Sequence, residues 1–329
     1  MVKIIGFVVA GLIAFAIIAP LLIEVVCETL NAGRFKAPGD LVDIGRGRKL
    51  HLLCKGDAPG PTIVIEQGLF SPSILWWPTQ DRVSKFARVC TYDRAGYLWS
   101  PGAGANRSIE DRVADLHALL TAAELPKPFV LVGHSYGGLI IRLYTKNYSD
   151  DVAGLVLVDS PHEALLFSDK VQAYMRQSVK QLGAGVIAAR FGALRLGNPL
   201  FDSPVPGLSP WARGAMKAFA ATPGFMQAVQ DDMRSIANAS AALRKPGAFG
   251  DLGDKPLIAM THGIPFPPQA GPMEEGWREG VERLAKLSTN SEFTLAEKSN
   301  HQIFLDQPDL VVDAIKRVHG AARDHSRLK

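Results

Sequence analysis

The sequence predicts an α/β fold: a doubly wound, mostly parallel sheet, interrupted by one helical insertion and preceded by an apolar N-terminal helix. Three observations predict it. Short β-branched runs alternate with amphipathic stretches over residues 40–160 and again over 255–320, and strands that alternate with helices pair in parallel under helices on both faces. Strand-like runs vanish between Pro161 and about Asp254. Midway along the chain an apolar run, Phe129–Val132, ends in Gly133-His134-Ser135-Tyr136-Gly137, and a helix-like stretch, Leu139–Tyr148, begins at once.

At the N-terminus, Ile4–Ile23 is a run of 20 residues without a charge. At about 1.5 Å per helical residue it is long enough to cross the hydrocarbon core of a bilayer. A cleavable secretory signal has a shorter apolar region, and here the best small-x-small site, Ala14-Phe15-Ala16, sits inside the run. Residues 1–30 are therefore read as a retained transmembrane anchor, with a cleaved signal as the alternative. Lys3 lies on one side and Arg34 and Lys36 on the other, so charge does not fix the orientation.

Residues 31–160 form the first part of the predicted core. Asp40–Ile44 and Lys49–Cys54, split by Gly45-Arg46-Gly47, read as a hairpin. Thr62–Glu66 is a continuous β-branched run of the kind buried on both faces, and Ala87–Tyr92 is the next strand. Ser108–Ala123 reads as an amphipathic helix, with Val113, Leu116, Leu119 and Leu120 on one face and Ser108 and Asp111 spaced as a capping box. Phe129–Val132 and Ala153–Val158 continue the strands.

Residues 161–254 read as an inserted helical lid, with helices over Val171–Leu182 and Trp211–Ala221 punctuated by prolines such as Pro206, Pro210 and Pro223. Residues 255–329 resume the core: strand Pro256–Met260, a helix over Met273–Leu287, strand Glu292–Ala296 and a final helix, Pro308–Val318. A chain of 329 residues with 47% hydrophobic side chains suits one α/β domain carrying such an insertion. The net charge of +4 is mild and its lysines and arginines are scattered, which argues against a nucleic-acid partner.

The Gly133–Gly137 stretch carries the chemistry. Glycines two residues either side of Ser135 leave room for a strained bend that pushes a hydroxyl out at the end of a sheet, so Ser135 is the candidate nucleophile. A neutral hydroxyl is a weak nucleophile, and the reading demands a histidine base, an orienting carboxylate and oxyanion donors. His301 follows the last strand, on the same sheet edge, and is the candidate base. His134 lies inside the bend with its side chain expected to point away, and His162 and His262 precede the lid or a proline-rich loop; these are weaker competitors. Asp159 directly follows Ala153–Val158 and is the candidate acid, because no Asp or Glu follows the next strand until Glu274, with Glu275 beside it. Oxyanion donors are assigned to the backbone N–H groups of Tyr136 and of Leu69, in the loop Gln67-Gly68-Leu69-Phe70.

Gly133-His134-Ser135-Tyr136-Gly137, Tyr92-Asp93-Arg94-Ala95-Gly96-Tyr97, Leu155–Asp159 and Asn300-His301, in this order, resemble the α/β-hydrolase superfamily over about residues 40–160 and 255–320. The resemblance implies an eight-stranded sheet, a serine, acid, histidine order along the chain, and neighbouring second and fourth strands. That adjacency would permit a Cys54–Cys90 disulfide, which requires an oxidising compartment; two buried free thiols are the alternative, and Cys27 is unpaired either way. The chain departs from the usual pattern in carrying Gln67-Gly68 where the oxyanion loop usually has His-Gly, and in placing its acid after the sixth strand. Relatives resembling epoxide hydrolases or haloalkane dehalogenases would carry an aspartate at the bend, so Ser135 disfavours those activities. The expectation is an ester-cleaving serine hydrolase acting on a small-molecule ester or a lipid and meeting the membrane through its N-terminal helix, with no cofactor and no metal. An amidase or peptidase, a thioesterase, an acyltransferase, or a ligand-binding protein on the same frame are the alternatives.

Overall fold

A computed structural model describes residues 2–104, 107–197 and 205–329. The long β-branched runs owe their burial to a period of two. In Thr62–Glu66, Ile63 and Ile65 enter the core on one face of the sheet and Val64 the core on the other, which is how an unbroken apolar run serves a strand covered on both sides.

The strands are β1 (Asp40–Asp43), β2 (Lys49–Lys55), β3 (Thr62–Glu66), β4 (Val89–Tyr92), β5 (Phe129–His134), β6 (Val152–Val158), β7 (Leu257–His262) and β8 (Ser291–Ala296). They form one sheet in the order β1-β2-β4-β3-β5-β6-β7-β8. The β1–β2 and β2–β4 pairs are antiparallel and every other pair is parallel. The eight-stranded, mostly parallel sheet expected from the resemblance is therefore present, including the β2–β4 adjacency. Cys54 and Cys90 are direct cross-strand partners in that pair and form a disulfide, while Cys27 is a free thiol.

Helices α1 (Val2–Arg34), α2 (Trp77–Val83), α3 (Ile109–Ala122) and α4 (Tyr136–Asn147) precede the insertion. The capping box of α3 is complete: the Ser108 hydroxyl accepts from the N–H of Asp111, and the Asp111 carboxylate accepts from the N–H of Ser108. On one face of the sheet, α3, α4 and the later residues Trp277 and Leu284 cover Val64, Leu131, Leu155 and Leu257. On the other, Trp76 and the C-terminal helices cover Ile63, Val130, Val156 and Ile258. Within α1, Lys3–Arg34 has a mean hydropathy of 2.7 over its most apolar window, none of it buried, which by length and composition suffices to cross a membrane.

Between β6 and β7 the chain is helical: α5 (Glu163–Leu166), α6 (Asp169–Arg190), α7 (Ala193–Leu196), α8 (Pro210–Ala220) and α9 (Pro223–Ala237). Residues 198–204 of the predicted lid lie outside the described residues. α6 packs along α9, the helix that the sequence reading did not separate from its surroundings. Pro223 stands in its first turn and the Thr222 hydroxyl caps it, so a residue read as punctuation marks a helix start. After β7 come α10 (Gly271–Glu274) and α11 (Trp277–Ala285), and after β8 come α12 (Ile303–Asp306) and α13 (Pro308–Arg323).

Candidate active site

Four strands end at the same edge of the sheet, and each delivers one polar group: Ser135 follows β5, Asp159 follows β6, His262 closes β7 and His301 lies in the loop after β8. The strand ladder extends one residue past two of these ends. The N–H of Ser135 donates to the Val158 oxygen at 3.0 Å and that of Asp159 to the Met260 oxygen at 2.8 Å. Both residues are thereby fixed by backbone before their side chains make any contact.

Ser135 turns the chain from β5 into α4 at φ 51°, ψ −122°, a backbone region that non-glycine residues rarely occupy. Close packing enforces the bend. A Cβ on Gly137 would come within 2.3 Å of the Glu66 oxygen, so no side chain fits between the start of α4 and the end of β3.

His301 Nε2 lies 2.9 Å from Ser135 Oγ, and His301 Nδ1 lies 2.6 Å from Asp159 Oδ2. The three side chains singled out in the sequence are thus in one hydrogen-bonded row. Asp159 is fully buried, and its other oxygen accepts from the indole N–H of Trp277 at 2.9 Å, the N–H of His262 at 3.1 Å and the Thr261 hydroxyl at 3.2 Å. Burial alone would raise this carboxyl; the hydrogen bonds from His262 and His301 outweigh it and hold Asp159 well below the usual carboxylate range.

The remaining acids and histidines weighed in the sequence are also placed. His262 Nδ1 lies 2.6 Å from Asp159 Oδ2, and its Nε2 lies 3.2 Å from Glu274, so these two join the cluster without replacing His301 or Asp159. Glu275 pairs with Lys170, and the Nδ1 of His162 accepts from the N–H of Ala164, capping α5. His134 sits beside His301, its ring 4.7 Å from that of His301 and its Nε2 2.9 Å from the His301 oxygen. Burial and the neighbouring His301 push His134 down to about 3, so it is a neutral ring near pH 7.

Tyr136 is the first residue of α4, where a backbone N–H has no partner within the helix. Its side chain is engaged elsewhere, with its hydroxyl 2.8 Å from Ser235 Oγ of α9. The loop of Gln67, Gly68 and Leu69 abuts the bend: a Cβ on Gly68 would lie 3.0 Å from Ser135 Cβ and 2.7 Å from His134 Nδ1. Gln67, standing where the resemblance usually has histidine, donates through Nε2 to the Tyr92 oxygen at 2.5 Å, which turns its side chain into the sheet.

Arg94 received no role in the sequence reading, yet it shapes this loop. Its guanidinium donates to the Gln67 oxygen at 2.6 Å, the Gly68 oxygen at 2.8 Å, Glu66 Oε1 at 2.6 Å and Asp232 Oδ2 at 3.0 Å. Asp232, in α9, also accepts from Arg112 at 2.7 Å and from the Tyr97 hydroxyl at 2.9 Å. Two carboxylates and two guanidinium groups, all buried, balance in charge. The Arg94 and Arg112 charges hold the Asp232 carboxyl down against burial, while burial dominates at Glu66 and raises it.

Asp159, His262 and His301 hold their ligand-type atoms within 4.8 Å of one another. Donor atoms sharing a tetrahedral zinc at about 2.1 Å stand roughly 3.4 Å apart. The 2.6 Å separations from Asp159 to each imidazole are those of hydrogen bonds, so protons bridge this cluster.

Residues 64–314 match the alpha/beta hydrolase family. An uncharacterized protein of Bacillus subtilis is 34% identical over 113 residues, covering 34% of this chain and 45% of that protein. An uncharacterized vacuolar membrane protein of Saccharomyces cerevisiae is 32% identical over 148 residues, covering 40% of this chain and 23% of that protein. The chain spans less than half the length of these two relatives. A solved structure of a thermophilic esterase from Thermogutta terrifontis shares the fold, with a TM-score of 0.61 at 19% identity over 85% of this chain and 97% of that one. The family match runs from within β3 into α13 and takes in all four strand ends that carry the cluster, and on that extent the chain belongs to the alpha/beta hydrolase family.

Proposed function

We propose that the chain is a serine hydrolase that cleaves a carboxylic ester of a small molecule through an acyl-enzyme. The observation that carries this reading is the row from Ser135 Oγ to His301 Nε2 at 2.9 Å and from His301 Nδ1 to Asp159 at 2.6 Å. Ser135 attacks the carbonyl carbon while His301 takes its proton, and the Asp159 carboxylate orients the ring and stabilises the imidazolium that forms. The oxyanion is met by the N–H groups of Tyr136 and Leu69, each contributing about 3 kcal/mol. Collapse expels the alcohol with the proton from His301, and water then releases the acid by the same route.

In this reading residues 161–254 act as a lid over the acyl group, and the apolar α1 anchors the enzyme in a membrane, as supported by its length and by the vacuolar membrane protein among its relatives. The Cys54–Cys90 disulfide supports a catalytic domain on the oxidising side. The test is fluorophosphonate labelling of the full-length protein in detergent. Labelling at Ser135 that is lost in Ser135→Ala and reduced in His301→Ala supports the reading. An inert Ser135 in folded protein replaces it with a ligand-binding role. p-Nitrophenyl esters of graded chain length then report whether the acyl site is short or long.

A further inference from the structure

His262 occupies an unusual place for a histidine outside the Ser135 row. Its Nδ1 lies 2.6 Å from Asp159 Oδ2, the same oxygen that meets His301 Nδ1 at 2.6 Å. Its Nε2 lies 3.2 Å from Glu274 Oε2, an oxygen fixed in turn by the N–H of Phe266 at 2.8 Å. A neutral imidazole has one N–H and can donate from one nitrogen only; between two carboxylates, the doubly protonated ring is the form that satisfies both. Burial works against that charge, and the hydrogen bonds and charges of Asp159 and Glu274 outweigh it, raising His262 above the ordinary histidine range. The titratable groups that face this ring are Asp159, Glu274 and, at 6.5 Å between ring centroids, His301. Phe266 at 4.7 Å and Trp277 at 6.0 Å are its aromatic neighbours.

We propose that His262 is a positioning residue of this site: it holds the Asp159 oxygen that orients His301, and its imidazolium, backed by Glu274, tempers the negative charge that Asp159 presents to that ring. The proposal rests on the Ser135–His301–Asp159 reading. A positive charge at position 262 disfavours a second one on the neighbouring ring, so the acid limb of the reaction is expected to depend on His262. At the 6.5 Å ring separation, effective dielectric constants between 80 and 20 make the effect roughly half a pH unit to two pH units. Glu274 sustains that charge by accepting from the second ring nitrogen.

The test compares the full-length wild type, His262→Gln and Glu274→Gln in detergent, following kcat/KM against pH with p-nitrophenyl butyrate and the protonation of His301 and His262 by imidazole NMR. Glutamine at 262 keeps an amide donor for Asp159 and removes the charge. The acid limb is expected to move up by roughly half a unit to two units in His262→Gln, and Glu274→Gln is expected to lower the NMR midpoint of His262, which loses one of its two carboxylate partners. A purely structural brace would lower kcat and leave the limb in place, and that result overturns the proposal, as does an unmoved His262 midpoint in Glu274→Gln. Should His262→Gln fail to fold, Glu274→Gln decides alone through the NMR midpoint of His262: a fall supports the proposal and an unmoved midpoint overturns it. If the wild type cleaves no ester, the hydrolase reading fails separately and the NMR midpoint of His301 still decides the role of His262.

Discussion

Arg94 donates to the carbonyl oxygen of Gly68 at 2.8 Å, so a side chain from the loop after β4 holds the backbone that carries the proposed oxyanion donor Leu69. The same guanidinium is buried against Glu66 and Asp232. Replacing it with methionine leaves Glu66 without a cation and Asp232 with Arg112 alone, and is expected to cost about 3–5 kcal/mol of stability. Arg94→Lys keeps the charge but cannot span Gln67, Gly68 and Asp232 with one planar fork. It is expected to fold and to lose at least tenfold in kcat, with KM little changed; unchanged kcat in esterase assays would separate Arg94 from the oxyanion loop.

Ser135 stands at φ 51° and ψ −122°. A residue without a Cβ adopts that conformation with less strain, so Ser135→Gly is expected to abolish ester cleavage while raising stability by about 1 kcal/mol. Urea unfolding monitored by tryptophan fluorescence measures it, and a fall in stability would show that the bend is not strained.

His134 makes the fold sensitive to acid. The unfolded chain takes a proton on this ring below about pH 6.5, whereas the folded protein refuses it until about pH 3. The unfolded state binds more protons in that window, and stability falls as pH drops through it by about 1.4 kcal/mol per pH unit from this group. Asp159 acts in the same direction at lower pH, since its depressed carboxyl gives stability that is present above the unfolded value and fades on acidification. His134→Asn is expected to flatten the slope between pH 6 and 4; an equally steep urea-midpoint profile would exclude His134 as its source.

The Cys54–Cys90 bond closes a sequence separation of 36 residues. Loop-closure entropy for a ring of that size gives about 4 kcal/mol. Cys54→Ala with Cys90→Ala is expected to lose roughly 2–4 kcal/mol with the ester-cleaving activity retained at 25 °C, because the bond joins β2 and β4, which β3 separates from β5. Loss of activity in folded double variant would tie the pair to the site.

The core was legible because its information is local. The runs at Thr62–Glu66 and Val152–Val158 need only their own residues to reveal buried strands, and Ser108 with Asp111 announces a helix from three positions apart. The bend at Ser135 is equally local, since Gly137 shows through its missing side chain. His301 and Asp159 were reached by their position after strands, which the alternation supplies. The bracing groups were not legible. Arg94 meets Asp232 across 138 residues, and nothing near either one names the other. His262 and Glu274 read as rivals for roles in the row, whereas the β7 end brings both against Asp159. The Cys54–Cys90 pairing stayed open because it depends on the β2–β4 register, a long-range property.

The carboxylate of Asp232 reaches from α9 into the interior, where two arginines depend on it. Swinging that helix outward would leave Arg112 without its carboxylate and Arg94 with Glu66 alone, at a cost of several kcal/mol in a dry setting. α9 is thereby tied to the sheet by buried charge, a tether of a different kind from the apolar packing that holds its neighbours.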